Sequence, residues 1–158
     1  YSVKGVQYVA VAVGWGGILP LNLGEVLKTG VPPRVNRIVA FRLDGKAAMP
    51  IPTTEAATLD PPVSTAPAAV IDRGRQYFHD SCWMCHGESA VNNGGVPDLR
   101  RSAAIADAFA FRSFVLDGVT EERGMPDFGK DYTPEQAEAI RAYLVKRAND
   151  LKADPSLP

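Results

Sequence analysis

The first 45 residues show the apolar and polar alternation of short antiparallel strands. Ser2 to Val13 is rich in β-branched side chains and is interrupted at Lys4-Gly5, a turn signal, so it predicts a tight hairpin. Asn36 to Leu43 alternates in the same way and stops at Asp44-Gly45, which predicts a third strand. Three strands bury little apolar surface on their own, so this region needs a partner surface.

Two stretches lack any hydrophobic period. The segment that runs from Gly14-Trp15-Gly16-Gly17 to Pro32-Pro33 is punctuated by glycine and proline and is predicted to be a loop. Residues 47–69 hold five prolines among alanine, threonine and serine. We interpret this second stretch as a linker, extended and semi-rigid where the prolines cluster.

Helical spacing begins after the linker. Val70 to Asp80 predicts a helix that runs directly towards Cys82, and Ala103 to Leu116 predicts a shorter one. The strongest signal starts at Thr133-Pro134-Glu135-Gln136, where a hydroxyl N-cap precedes proline at the first helical position and glutamine three residues after the cap. Apolar residues then recur at helical spacing, which predicts a helix to about Leu151.

The composition narrows the class of protein only a little. The chain is 46% hydrophobic and 22% charged, and no apolar run approaches the roughly 20 residues that cross a bilayer, so no transmembrane segment is expected. The formal net charge of -1 argues against nucleic acid as a partner.

Cys82-Trp83-Met84-Cys85-His86 is the motif that carries chemistry. Two thiols separated by two residues can add to the two vinyl groups of one porphyrin, and the following histidine is then held beneath the iron, as is typical of c-type haem attachment. A zinc site would need two more cysteine or histidine ligands, and only His79 remains. A thioredoxin-like pair would follow a strand, whereas a helix precedes this motif.

A six-coordinate iron needs a second axial ligand, and three methionines are available. Met84 lies inside the attachment motif and Met49 in the linker. Met125 lies in Gly124-Met125-Pro126, where glycine permits close approach to the ring, so we predict Met125 as the ligand; the alternative is a gap-filling core methionine. His79 is three residues before Cys82 and cannot reach the opposite haem face.

Pro97 follows His86 at a distance where its carbonyl oxygen could accept a hydrogen bond from the free imidazole N–H. The alternative is an ordinary loop proline. With Leu99, it is predicted to belong to the haem pocket.

Residues 70–158 resemble class I cytochrome c domains. The resemblance rests on a Gly-x-x-aromatic helix at Gly74 and Tyr77, the Cys-x-x-Cys-His motif, the Pro-x-Leu segment, the Gly-Met-Pro loop and a closing helix with Tyr143. It implies an all-α fold around haem c. Because such haem is attached outside the bacterial cytoplasm, it also implies a periplasmic location.

Residues 1–46 resemble the last propeller blade of pyrroloquinoline-quinone (PQQ) alcohol dehydrogenases, through a Gly-x-Gln-Tyr-Val-Ala-Val hairpin, a Gly-Trp-Gly-Gly turn and a Phe-x-Leu-Asp-Gly strand. The whole chain is therefore similar to the C-terminal piece of a type II quinohaemoprotein alcohol dehydrogenase. The resemblance implies PQQ and calcium in a β-propeller outside these residues. It also implies that Gly14, Trp15 and Gly16 approach the rim of the cofactor funnel, although a blade turn with a packing tryptophan fits them equally well.

The expected fold class is multidomain, with propeller strands at 1–46, a Pro-rich linker at 47–69 and an all-α cytochrome at 70–158. We expect an incomplete chain that accepts electrons from alcohol oxidation in the rest of the propeller, on the same or a separate chain, and passes them to a blue copper protein or another cytochrome. One alternative is a free-standing monohaem carrier that docks on another redox enzyme. Another is a haem-based sensor, which would leave one iron position open.

Overall fold

A computed structural model describes residues 1–13, 37–48, 59–91, 96 and 98–157. Several residues named from the sequence lie outside this part: the candidate ligand Met49, the predicted pocket residue Pro97, and the funnel-rim residues Gly14, Trp15 and Gly16.

A three-stranded antiparallel sheet forms the N-terminal part, with strands β1 (Ser2–Val3), β2 (Val6–Val13) and β3 (Arg37–Arg42) in that order. Lys4 and Gly5 both have positive φ, 50° and 79°, as a two-residue type I′ turn requires. β2 pairs with β3 in a register that sets Val9 opposite Phe41 and Val11 opposite Val39. The hairpin and the third strand predicted from the alternation are confirmed.

Apolar side chains of this sheet remain in contact with solvent. Val9 is 57% exposed, Phe41 55% and Ile38 79%. Val9 and Phe41 share one face of the sheet and Ile38 lies on the other. Side chains of this size are normally buried, so their exposure on both faces is typical of a sheet that other elements cover.

The second half of the chain is all α. Helix α1 (Ala68–Ser81) is followed without a loop by the single turn α2 (Trp83–His86), and later by α3 (Ala108–Leu116) and α4 (Pro134–Ala153). Three short 3-10 turns lie between α2 and α4, at Leu99–Arg101, Ala103–Ala106 and Glu121–Arg123. This is the all-α part that the sequence predicts.

The prediction of one continuous helix from Ala103 to Leu116 is wrong. Asp107 has extended backbone angles and divides a 3-10 turn, Ala103–Ala106, from α3. Its carboxylate accepts a hydrogen bond from the amide of Ala110 at 2.8 Å and so caps α3. An aspartate that caps a new helix competes with continuation of the old one.

The N-terminus of α4 confirms the predicted capping box. The amide of Gln136 donates to Thr133 Oγ1 at 3.3 Å, and the amide of Thr133 donates to Gln136 Oε1 at 2.7 Å. The helix ends at Ala153, two residues beyond the predicted end.

The core forms where α1 crosses α4. Gly74 faces the backbone of α4 so closely that a Cβ atom there would lie 1.8 Å from the carbonyl oxygen of Ala139. Phe78 and Leu144 are fully buried on either side of this crossing, and the ring of Phe78 lies 5.4 Å from that of Tyr143. The close approach requires glycine because any side chain would separate the two backbones.

Part of the predicted linker lies along α4. Asn149 Nδ2 donates to the carbonyl oxygen of Pro62 at 2.8 Å, Lys152 pairs with Asp60 at 3.0 Å, and Leu59 packs against the helical core. We call residues 59–67 the strap. The domain boundaries at 46 and 69 stay predictions, but the strap is structurally part of the helical unit.

No helix in the described parts of the chain has the length and hydropathy to span a membrane.

Candidate haem site

The attachment motif is folded into one helical turn. Cys82 ends α1, where its amide donates to the carbonyl oxygen of Phe78 at 2.8 Å, and its own carbonyl oxygen accepts from the amide of His86 at 2.9 Å. Cys82 is therefore both the C-cap of α1 and the N-cap of α2. This turn brings Cys82, Cys85 and His86 onto one short, rigid segment.

The two thiols differ in their surroundings. Cys82 is half-buried and Cys85 is exposed. Burial, and to a smaller extent the neighbouring Cys85, raises the pKa of the Cys82 thiol to about 12. Both cysteines are free of disulfide bonds.

His86 is the last residue of α2 and is half-buried, with its Nδ1 atom inside the protein. The chain reverses directly after it at Gly87, whose φ is 79°. A Cβ atom at Gly87 would lie 2.1 Å from the carbonyl oxygen of Val91. The turn at Gly87 therefore brings the backbone of Val91 into close contact with the residue that follows His86.

Met125 lies on a separate loop that packs against the same core. Gly124, with φ of 94°, ends the preceding 3-10 turn, and the amide of Met125 donates to the carbonyl oxygen of Thr120 at 3.4 Å. The Met125 side chain is half-buried and packs against the core cluster. Three residues further on, the amide of Phe128 donates to the carbonyl oxygen of Val115, which fixes the far end of this loop to α3.

The other candidate ligands are placed differently. Met84 is 51% exposed, so it points away from the core. The ring of His79 is held by its own helix, with Nδ1 2.7 Å from the carbonyl oxygen of Arg75. Met49 lies outside the described residues.

The attachment turn, the methionine loop and the elements around them contribute half-buried apolar side chains to the same core. All of them pack against the buried core, and we call them the apolar wall: Tyr77, Cys82, Trp83, Leu99, Leu116, Met125 and Phe128. Leu99, predicted from the sequence, is among them, while Pro97 lies outside the described residues. Residues from α1, α2, α3 and the segments between them thus pack against one core.

Arg100, which sequence reasoning missed, is the one charged residue among the buried side chains of the described part, with 6% of its surface exposed. Its Nε and Nη2 atoms donate to Asp98 at 3.0 and 2.8 Å. Its Nη1 atom is buried and makes no hydrogen bond to any described residue. A buried N–H group of this kind suits an anionic acceptor. The only sequence signal was an arginine beside the Pro-x-Leu segment.

Within the described ranges, no group of three or more histidine, cysteine, aspartate and glutamate side chains is placed to hold a metal ion. The attachment turn offers two thiols that could form thioethers with porphyrin vinyl groups and one imidazole that could bind the iron, whereas a tetrahedral zinc site needs four protein ligands.

Much of the helical half of the chain matches a known protein family. Residues 69–144 match the family described as cytochrome C oxidase, cbb3-type, subunit III. This family match spans α1, the attachment turn, the methionine loop and most of α4.

Relatives extend over nearly the whole chain. It is 42% identical over 151 residues to the dehydrogenase subunit of a quinone alcohol dehydrogenase of Acetobacter aceti, which covers 95% of this chain and 20% of that protein. It is 36% identical over 150 residues to quinohemoprotein alcohol dehydrogenase ADH IIB of Pseudomonas putida, with 93% and 21% covered.

A solved structure of quinohemoprotein alcohol dehydrogenase ADHIIG of Pseudomonas putida HK5 superposes with a TM-score of 0.80 at 35% identity, covering 98% of this chain and 22% of that one. The quinohemoprotein alcohol dehydrogenase of Comamonas testosteroni gives a TM-score of 0.66 at 29% identity, with 96% and 21% covered. The chain thus spans about one fifth of the length of the relatives it matches.

Proposed function

We propose that this chain is the electron-relay part of a quinohaemoprotein alcohol dehydrogenase, with residues 69–144 as its c-type cytochrome domain. Nearly the whole chain is similar to about one fifth of the length of such enzymes, and residues 69–144 match a cytochrome family. In this proposal, alcohol is oxidised to aldehyde on PQQ elsewhere in the enzyme. Electrons then pass singly through haem c to an external acceptor.

The observation that carries the proposal is the placement of Cys82, Cys85 and His86 on one helical turn beside the apolar wall. A haem is a large apolar ring with two carboxylate side chains. The apolar wall suits the ring, and the buried Nη1 atom of Arg100 suits a carboxylate. These residues therefore fit the cofactor that a cytochrome c domain carries.

Each residue then has a definite task. Cys82 and Cys85 would hold the porphyrin by thioether bonds, and His86 and Met125 would bind the iron. Bound haem supplies a one-electron couple, and histidine with methionine ligation raises its potential compared with two histidines, which suits electron uptake from an organic cofactor. The apolar wall excludes water from the iron.

We propose that the N-terminal sheet supplies the last strands of the PQQ propeller. Val9, Ile38 and Phe41 are more than half exposed, and neighbouring blades would cover them. In this arrangement residues 1–46 belong to the propeller and residues 47–69 connect it to the cytochrome. By resemblance, Gly14, Trp15 and Gly16, which lie outside the described residues, approach the PQQ funnel, and calcium accompanies PQQ there.

The partners and the compartment follow from the same proposal. The electron acceptor is a blue copper protein or another cytochrome, and the location is the periplasm, where c-type haem is attached. The relation to alcohol dehydrogenases extends over the sheet as well as the helices, covering 95% of the chain in one case, so a free-standing carrier is not favoured. With Met125 as the proposed sixth ligand, we also expect no open iron position of the kind a haem sensor needs.

A direct test is reduction of the haem by alcohol. In native material that contains this chain, adding a primary alcohol without oxygen is expected to convert the oxidised c-type spectrum to the reduced one, since one alcohol supplies two electrons and each haem takes one. Removing calcium and PQQ with a chelator should abolish this reduction and leave reduction by ascorbate intact. Haem that ascorbate reduces but no alcohol does, in material without PQQ, would contradict the dehydrogenase proposal.

Replacement of Met125 tests the sixth ligand. Met125→Ala is expected to remove the far-red sulfur-to-iron band of the oxidised protein and to open the iron to cyanide. Met125→His should keep the iron low-spin and lower the reduction potential by about 100 mV or more, within the roughly 0.8 V range that axial ligation sets. Met84→Ala is the matched control, because Met84 is 51% exposed and should leave both readouts unchanged. The reverse pattern would assign the ligand to Met84.

A further inference from the structure

Tyr132 connects two segments of the site. One is the loop that carries Met125, and the other is α1, which leads directly into Cys82. Tyr132 lies between the methionine loop and α4, and its amide donates to the carbonyl oxygen of Phe128 at 3.0 Å. Its ring reaches back to α1, where it meets the ring of Tyr77 edge-on at 5.8 Å. A second aromatic contact, to Phe128 at 6.2 Å, keeps the ring on the loop side.

The hydroxyl group of Tyr132 has two hydrogen-bond partners on α1. It donates to the main-chain carbonyl oxygen of Tyr77 at 3.1 Å, and it lies 2.7 Å from Ser81 Oγ. A carbonyl oxygen can only accept, so the single phenolic proton goes to Tyr77 and the Ser81 hydroxyl donates to Tyr132. Both bonds are therefore satisfied at once, with a defined direction.

The hydrogen bonds of Tyr132 reach α1 next to the haem-attachment motif. Ser81 immediately precedes Cys82, and Tyr77 lies one helical turn before Ser81. Both hydrogen bonds of Tyr132 therefore go to the C-terminal end of α1. Burial raises the pKa of the Tyr132 phenol, so the hydroxyl keeps the proton that the bond to Tyr77 uses.

We propose that Tyr132 is a positioning residue that fastens the methionine loop to the haem-attachment helix and so holds the Met125 thioether at the iron. This rests on the proposed axial role of Met125. Tyr132 does not touch the iron in this proposal. It sets the distance between the two halves of the site, one of which carries Cys82 and His86 and the other Met125.

The test compares the oxidised holoprotein with the variants Tyr132→Phe and Ser81→Ala. Tyr132→Phe keeps the ring contacts and removes both hydrogen bonds, so cyanide is expected to displace Met125 about tenfold faster, with a weaker far-red band. Ser81→Ala removes one bond and should give a smaller increase, about threefold. Tyr8→Phe, the same loss of a phenolic oxygen in the N-terminal sheet, is the control and should match the wild type.

A double-mutant cycle separates positioning from general loosening. In the Met125→Ala background the loop has no ligand to hold, so adding Tyr132→Phe should change the cyanide rate less than twofold. A tenfold increase in that background as well would overturn the proposal, because Tyr132 would then act on the pocket as a whole.

The failure of this inference is distinct from a failure of the proposed ligation. If Met125→Ala changes the band and the cyanide rate while Tyr132→Phe changes neither beyond twofold, Met125 remains the ligand and Tyr132 merely fills space. If the wild type lacks the far-red band, the proposed ligation itself is wrong and the inference falls with it. Should Tyr132→Phe fail to mature, Ser81→Ala alone carries the same comparison.

Discussion

A chain in which Cys82 and Cys85 are both changed to alanine is expected to lose all of its haem to acidified acetone, whereas the wild-type chain keeps its colour with the protein. The reason is that thioether bonds survive the acid, whereas bonds from the iron to the proposed ligands His86 and Met125 would not. Both thiols lie on the turn that holds His86, and neither is tied up in a disulfide. The measurement is the haem absorbance in the organic and protein fractions after extraction.

The single variants sharpen the test because the two thiols differ in exposure. Cys85→Ala should leave one thioether at the half-buried Cys82 and retain protein-bound haem, with a pyridine spectrum shifted from the two-thioether form. Full extraction of haem from the wild type would contradict the attachment outright. Retention by the double variant would show that other side chains hold the ring.

The substitution Gly74→Ala is expected to destabilise the cytochrome domain by about 3 kcal/mol, the upper part of the range for overpacking. A Cβ atom there would lie 1.8 Å from the Ala139 carbonyl oxygen, while real Cβ contacts essentially never fall below 3.0 Å. The obstacle is backbone on α4, so no side chain can rotate away. The gain in helix propensity from glycine to alanine, about 1 kcal/mol, works in the opposite direction and is already included.

Thermal unfolding measures this effect directly. For a domain of this size, a loss of about 3 kcal/mol lowers Tm by roughly 10–20 °C. Gln76→Ala is the matched control, since Gln76 is exposed on the same helix and its replacement should stay within about 0.5 kcal/mol. An unchanged Tm for Gly74→Ala would mean that α1 and α4 do not approach as closely as described.

Local chemistry explains why some elements were predictable. The α4 helix begins where Thr133 and Gln136 exchange hydrogen bonds, and a capping box depends only on residues three apart. The hairpin turn likewise depends only on Lys4 and Gly5. For the attachment motif, the spacing of Cys82, Cys85 and His86 indicates the chemistry because a single helical turn contains all three.

Features that depend on distant contacts were missed. The strap has no period of its own, and its position is set by Asn149 and Lys152, more than 80 residues later in the chain. The burial of Arg100 depends on its pairing with Asp98 and on the core around it, while arginine is usually exposed. Tyr132 reads as an ordinary loop aromatic until its partners at Tyr77 and Ser81, more than 50 residues earlier, are known.

The break between the 3-10 turn and α3 at Asp107 was missed for a third reason. Apolar spacing continued through it, but the aspartate side chain stabilised a new helix start instead. Two local preferences competed there, and hydrophobic period alone does not decide between them.

The strap also limits how far the two halves of the chain can separate. With residues 59–67 fixed on α4, only the eleven steps from Ala48 to Leu59 separate the end of the sheet region from the cytochrome unit. Fully extended, they span at most about 40 Å. A tether of that reach gives an effective molarity of about millimolar order. Electron exchange between the haem and a centre seated on the sheet would therefore be unimolecular, and dilution would leave its rate unchanged.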